Sequence, residues 1–334
     1  MTTQPIEIVD VLCVGSGVAS LAVATAAADA GLSVRVADCN PSRVAFVGNT
    51  NGESTSWATA LQHRWGGEEL TLSTRWYLDA LTRQLGHPGR LASAPPPLSV
   101  VDGPHAAGQR CAGENAVAPF LGCELKDWAR ECLASPYGFI CSEVCRPGMT
   151  TLRLGERGLV EAAAIGSAPV GELTGMVLAD WLSSRVRDRG IQVDEGCGLK
   201  RLLFTNGHMS GAVIDGPRGT RAVRSRHGMV LATGGGCIGT ALPETELPPH
   251  TVLHVCLVTK IAGRFGRVEL LAENSGGQLV RPTKDRNVVW SRRTDQLSNV
   301  RTKRHDERQV LAETPEAEQL SVSAAIAECP PGAA

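Results

Sequence analysis

The sequence predicts an α/β fold organised on a parallel sheet, and three observations predict it. Val9–Val14 is an apolar run that empties into Gly15-Ser16-Gly17, and a small-residue helical stretch, Leu21–Ala30, follows. A second short strand, Ser33–Ala37, ends at Asp38. Much later, His227–Ala232 is another apolar strand, and it opens into Thr233-Gly234-Gly235-Gly236. Strand, glycine turn, helix and a second strand ending in an acid form the layout of a dinucleotide-binding βαβ unit.

Each residue type in that unit has a physical job. Gly15 makes the tight turn, and Gly17 has no side chain to keep the backbone away from a pyrophosphate. Ser20 stands where a third glycine is usual and is still small enough for close helix-to-strand packing. The helix N-terminus offers free N–H groups and a positive dipole end to phosphates. Asp38 lies just over twenty positions after Gly15, where an acid accepts hydrogen bonds from a ribose hydroxyl. The plainer alternative is a buried Gly/Ala-rich strand–helix pair with no ligand.

Bulk composition narrows the function classes. A net charge of −1 argues against a protein that coats nucleic acid, and 4% aromatic residues leave few stacking platforms for single strands. With 43% hydrophobic and 20% charged residues the chain is of ordinary globular composition. No stretch is long and apolar enough to span a bilayer, and Met1–Glu7 lacks a basic leader, so a cytoplasmic location is expected. Eleven cysteines, an odd number without a Cys-x-x-Cys pair, suit reduced thiols better than a disulfide framework or a metal centre.

The rest of the chain follows local signals. Val47–Trp57 is a polar, glycine-bearing loop, and Ser73–Leu85 has helical apolar spacing before Pro95-Pro96-Pro97 breaks it. Residues 102–120 read as a loop, and Trp128–Leu133 as a short helix stopped by Ser135-Pro136-Tyr137-Gly138. A second ordered block starts near Thr150. It contains a helix from Val177 to Arg189 ended by Gly190, a strand at Ile191–Val193, and a hairpin, Leu199–Ile214, turning at Asn206-Gly207. Arg221–Ser225 is a further strand. Two apolar runs, Val252–Ile261 and Val268–Leu271, precede a basic stretch, 281–308, with nine basic against four acidic positions. That stretch offers phosphate contacts to a nucleic acid or anionic membrane, but its interspersed acids favour a solvated arm. From Gln309 the chain is Ala/Glu/Pro-rich without a basic residue, and disorder is expected there.

Four stretches together resemble the flavoprotein superfamily of fumarate reductases, succinate dehydrogenases and 3-ketosteroid dehydrogenases. They are Val11–Asp38, Gly48-Asn49-Thr50, the helix–strand–hairpin passage Leu178–Ile214, and Val230-Leu231-Ala232-Thr233-Gly234-Gly235, in the family's order over roughly the first 240 positions. The resemblance implies a Rossmann-like FAD-binding fold of the glutathione-reductase type, with a central parallel sheet, a small antiparallel hairpin sheet and an atypical C-terminal region. It divides the chain into a discontinuous FAD-binding domain, 1–62 and 151–240, an insertion or lid, 63–150, an atypical region, 241–308, and a tail, 309–334. It places FAD against Gly15, Ser16, Gly17 and Ser20 at the pyrophosphate and against Asp38 and Cys39 at the ribose. Gly48, Asn49 and Thr50 fall nearer the flavin, with Ala232, Thr233, Gly234 and Gly235 on the opposite wall.

The family's capping domain, catalytic groups and late Gly-Asp-Gly segment are not recognisable after Gly236, so no catalytic residue carries over. His63, Tyr137 and His208 are the nameable acid/base groups. A hairpin tip makes exposure the better reading for His208, and a packed loop the better one for Tyr137. The implied function is a FAD-dependent oxidoreductase or dehydrogenase acting between a small-molecule substrate and an acceptor. The alternative is a non-catalytic nucleotide-binding or assembly protein whose site a partner or a second copy completes.

Overall fold

The structure, a computed structural model, describes residues 6–39, 56–65, 70–88, 96–101, 121–142, 149–154, 158–170, 178–234, 247–248, 251–260 and 263–273. Gly48–Thr50, Gly235, the 102–120 loop, the basic stretch 281–308 and the tail lie outside the described residues. In chain order the strands are β1 (Glu7–Val14), β2 (Val34–Ala37), β3 (Leu98–Val101), β4 (Gly138–Cys141), β5 (Thr150–Arg153) and β6 (Leu159–Pro169). They continue with β7 (Gln192–Asp194), β8 (Gly198–Thr205), β9 (His208–Asp215), β10 (Arg221–Ala232), β11 (Val252–Thr259) and β12 (Phe265–Glu273). The helices are α1 (Val18–Asp29), α2 (Trp57–Arg64), α3 (Leu72–Thr82), α4 (Leu121–Ala134) and α5 (Leu178–Asp188). None is long and apolar enough to cross a membrane among the described residues.

The strands form one mixed sheet in the order β5-β6-β11-β12-β4-β10-β1-β2-β7. Its parallel part is β10-β1-β2-β7, and from β10 to β5 each successive pair is antiparallel. β1 is buried on both faces, which is why it reads as a continuous apolar run rather than an alternation. Val11 and Cys13 pack with α1 and α5, whereas Leu12 and Val14 pack with α2, α3 and α4. The sheet therefore lies between two helical layers.

α1 is buried from Val18 to Ala27, because its Ala and Val side chains fit between the sheet and the Leu178-Leu182-Val186 stripe of α5. The β8–β9 hairpin turns on Asn206 and Gly207, both at positive φ (52° and 74°), as the Asn-Gly signal requires.

Three features differ from the sequence expectation. The hairpin is not a separate small sheet, because β9 pairs along Arg221–Arg224 of β10 and joins the main one. The two strands expected at 221–225 and 227–232 are one strand carrying a bulge. Between Ser225 and Gly228, β10 holds one residue more than β1 does between Val9 and Val11. Gly228, at φ 139°, absorbs the irregularity, and the bulged Arg226 and His227 both reach Asp10, at 3.1 and 3.7 Å. The apolar runs after residue 251 become the β11–β12 hairpin, which fills the sheet between β6 and β4.

Seven cysteines among the described residues are free thiols, and Cys13 and Cys39 are wholly buried. Burial pushes both thiols up to about 12 from an ordinary 9.0. Above pH 9 the unfolded chain releases these protons while the fold retains them, so stability is lost as the pH rises toward about 12. A Cys13→Ala, Cys39→Ala double variant is expected to lose less stability than the parent between about pH 8 and about pH 10.5, read from denaturant midpoints.

Candidate functional site

The loops that leave β1, β2 and β10 emerge at one end of the parallel strands. From β1 the chain moves through α1 to β2 on one side, while β10 pairs on the other side of β1. Such a reversal of strand order opens a crevice at the carboxyl ends of the strands, where α/β sheets bind ligands.

At this junction Gly15 has φ +91° and donates its N–H to the Ala37 carbonyl at 2.8 Å. The positive φ favours glycine, and a Cβ on Gly15 would crowd the Ala232 Cβ at 3.1 Å. Gly17 is the N-cap of α1 with an ordinary extended backbone, and no side chain caps the helix. A Cβ there would meet the Gly234 carbonyl at 3.8 Å, which is ordinary contact. The bare Gly17 is thus not demanded by the fold, and no side chain among the described residues occupies the N–H groups of the buried first turn of α1.

Ser16 Oγ donates to Asp38 Oδ1 at 2.5 Å, tying the glycine turn to the end of β2. The Asp38 backbone is held as well, its N–H on the Asp194 carbonyl at 2.8 Å and its carbonyl on the Cys197 N–H at 2.9 Å. Ser20 is fully buried and its hydroxyl faces the Val14 carbonyl at 3.4 Å, so its side chain serves the helix–strand contact. Cys39 is buried beside Asp38 and stays a neutral thiol.

The β10 exit forms the opposite wall. The Thr233 N–H donates to the Gly138 carbonyl at 2.9 Å. Trp65 Nε1 donates to the Ala232 carbonyl at 2.7 Å, and Arg64 Nη1 donates to the Thr233 carbonyl. Arg64 is 8% exposed and also donates to Leu133, whose carbonyl lies in the last turn of α4. No carboxylate pairs with it among the described residues, and burial pushes its guanidinium down to about 10. Thr233 Oγ1, Arg64 Nε and Trp57 Nε1 are buried polar atoms without a hydrogen-bond partner among the described residues.

Of the three acid/base candidates, His63 is exposed on α2, His208 is exposed at the hairpin tip, and Tyr137 is packed at 2% exposure. The structure does not bring them together. Sequence reasoning selects His63 and misses Arg64 and Trp65 beside it, which touch the wall. Helical spacing from Trp57 through Leu61 to Arg64 and Trp65 is the signal that separates them, because it puts His63 off the buried face.

Beyond Asp38 a groove of about 250 Å³ is lined by Asp194, Cys197, Arg218 and Arg221. Asp194 is 3% exposed and meets three arginines: Arg35 Nε at 2.8 Å, Arg218 Nη2 at 2.5 Å, and Arg221 Nη2. Arg35 also pairs with Glu7 at 3.1 Å. Three arginines thus face two carboxylates, and Asp194 anchors β7 to β2 through Arg35 and to β10 through Arg221.

No protein-family model matches this chain, and neither does any curated protein. Similar solved structures include the open conformation of a flavocytochrome c3 fumarate reductase, at 16% identity and TM-score 0.28, over 68% of this chain and 34% of that one. A 3-ketosteroid-Δ4-(5α)-dehydrogenase from Rhodococcus jostii RHA1 aligns at 16% identity and TM-score 0.28, over 69% and 47%. A geranylgeranyl bacteriochlorophyll reductase-like protein from Thermoplasma acidophilum aligns at 12% identity and TM-score 0.26, over 80% and 57%. The chain therefore spans less than two thirds of the length of each of these molecules.

Proposed function

We propose that this chain binds FAD across the β1–β10 junction and is a FAD-dependent oxidoreductase acting on a small organic substrate. The observation that carries the reading is the closed contact of the Gly15–Gly17 turn with Ala232–Gly234 at the strand-order reversal, with Asp38 fixed beside it. The start of α1, which no side chain caps among the described residues, and the bare Gly17 fit a dinucleotide diphosphate. The four sequence stretches that resemble the fumarate reductase superfamily support the same cofactor.

In this reading the α1 N–H groups bind the diphosphate, and Gly15 sets the angle at which β1 delivers them. Asp38 orients a ribose hydroxyl, with Ser16 holding the carboxylate in place. Trp65 and Arg64 fix the Ala232–Thr233 carbonyls, so the β10 wall keeps its distance from Gly17 and excludes water. Bound FAD would supply hydride or electron transfer to the substrate. Residues 1–62 and 151–240 form the cofactor domain, and 63–150 is the insertion, which lends β3 and β4 to the sheet.

The test is the visible absorption spectrum of the purified protein, with the released cofactor identified by chromatography. Flavin bands with near-stoichiometric FAD are expected. A colourless protein that FAD does not reconstitute contradicts the proposal.

A further inference from the structure

Arg64 is a buried cation at the ligand junction whose partners among the described residues are carbonyls. Its Nη1 donates to Thr233 in the β10 wall and to Leu133 at the C-terminal end of α4. Carbonyl dipoles offset part of a buried charge, but an ion is compensated fully only by a counter-ion. Its Nε–H has no acceptor among the described residues, and the neighbouring Thr233 hydroxyl has no partner there either, although both atoms are buried. The start of α1, on the other side of the crossing, is also positive, and its first turn holds no acid. Asp38, the acid of the glycine turn, is already engaged by Ser16. Among the described residues the crossing therefore carries uncompensated positive charge and a spare Arg64 Nε–H, on a guanidinium bonded one residue from Gly234.

We propose that Arg64 is an anion-recognising residue, giving its charge to the diphosphate of the nucleotide held by the Gly15–Gly17 turn. This rests on the dinucleotide reading and adds a specific determinant outside the glycine fingerprint. A residue that only tied α2, α4 and β10 together would affect every ligand equally. A charge directed at a diphosphate separates charged ligands from neutral ones.

The whole chain, freed of nucleotide, is titrated with FAD, ADP and riboflavin as the wild type, Arg64→Lys and Arg64→Met. Arg64→Met is expected to weaken FAD and ADP about tenfold more than it weakens riboflavin, a difference of about 1.4 kcal/mol. Arg64→Lys is expected to recover most of that loss. In the wild type, the Arg64 Nε–H resonance should move on adding ADP and stay fixed on adding adenosine, a readout that does not depend on the variants folding. A resonance indifferent to ADP, unchanged ADP affinity in Arg64→Met, or parallel loss of all three ligands overturns the role of Arg64 while leaving the cofactor reading intact. A wild type that binds neither FAD nor ADP overturns both.

Discussion

Gly234→Ala is expected to destabilise the fold by about 3 kcal/mol and to abolish retention of FAD. A Cβ at this position would lie 1.8 Å from the Pro136 carbonyl oxygen and 2.5 Å from its carbon, and both atoms are backbone. Rotating a side chain does not relieve such a clash. Either the 136–138 turn or the β10 exit must move, and the exit is bonded to Gly138, Trp65 and Arg64. The displaced exit takes Ala232 away from Gly15 and opens the crossing that is to hold the diphosphate. Gly31→Ala is the control. Gly31 has φ +75°, and a methyl group there would meet no atom within 4 Å, so the cost is backbone strain alone, about 1–2 kcal/mol. Denaturant unfolding of the two variants, with FAD retention on a desalting column, measures both effects. Equal destabilisation in the two would mean that the crossing is loosely packed.

Asp194→Ala is expected to cost about 3–5 kcal/mol, as breaking a buried ion network does. The carboxylate is almost fully buried, and its removal takes the ion partner from Arg221, whose side chain is 19% exposed, and leaves Arg35, 12% exposed, with Glu7 alone. Arg218 is 70% exposed, and Arg218→Ala should change stability by less than about 1 kcal/mol because solvent screens that pair. The network also anchors β7, whose Asp194 carbonyl fixes the Asp38 backbone, so ligand affinity should fall together with stability in Asp194→Ala. A midpoint in Asp194→Ala no lower than in Arg218→Ala would show that the arginines find other partners.

The local parts of this fold are legible in the sequence. Gly15, Gly17 and Asp38 lie in a strand–turn–helix–strand unit whose spacing is set within one short segment, and the Asn206-Gly207 turn is dictated by two positive φ angles. What is not legible depends on partners far away in the chain. β6 is an Ala/Gly/Ser-rich strand without alternation, and its strand character comes from pairing with β11 roughly ninety positions later. The apolar content of β11 and β12 shows in the sequence, but not their place between β6 and β4. The bulge that lets β10 run unbroken past Gly228 is likewise set by its register with β1.

The candidate site divides in the same way. The glycine turn is readable from spacing, whereas the β10 wall is held by Arg64, Trp65 and the Pro136–Gly138 turn, which only the folded chain brings together. α2 is hidden in the sequence because a polar, glycine-bearing run leads into it, and its buried face is hidden with it.

The most direct measurement is amide hydrogen exchange of the whole chain with and without FAD. Slowed exchange is expected at Ser16–Leu21, where α1 begins, and at Thr233–Gly234 across the junction, with the Lys200–Asp215 hairpin unchanged. Protection that spares Ser16–Leu21 while FAD is demonstrably bound would contradict the placement of the cofactor at the β1–β10 junction.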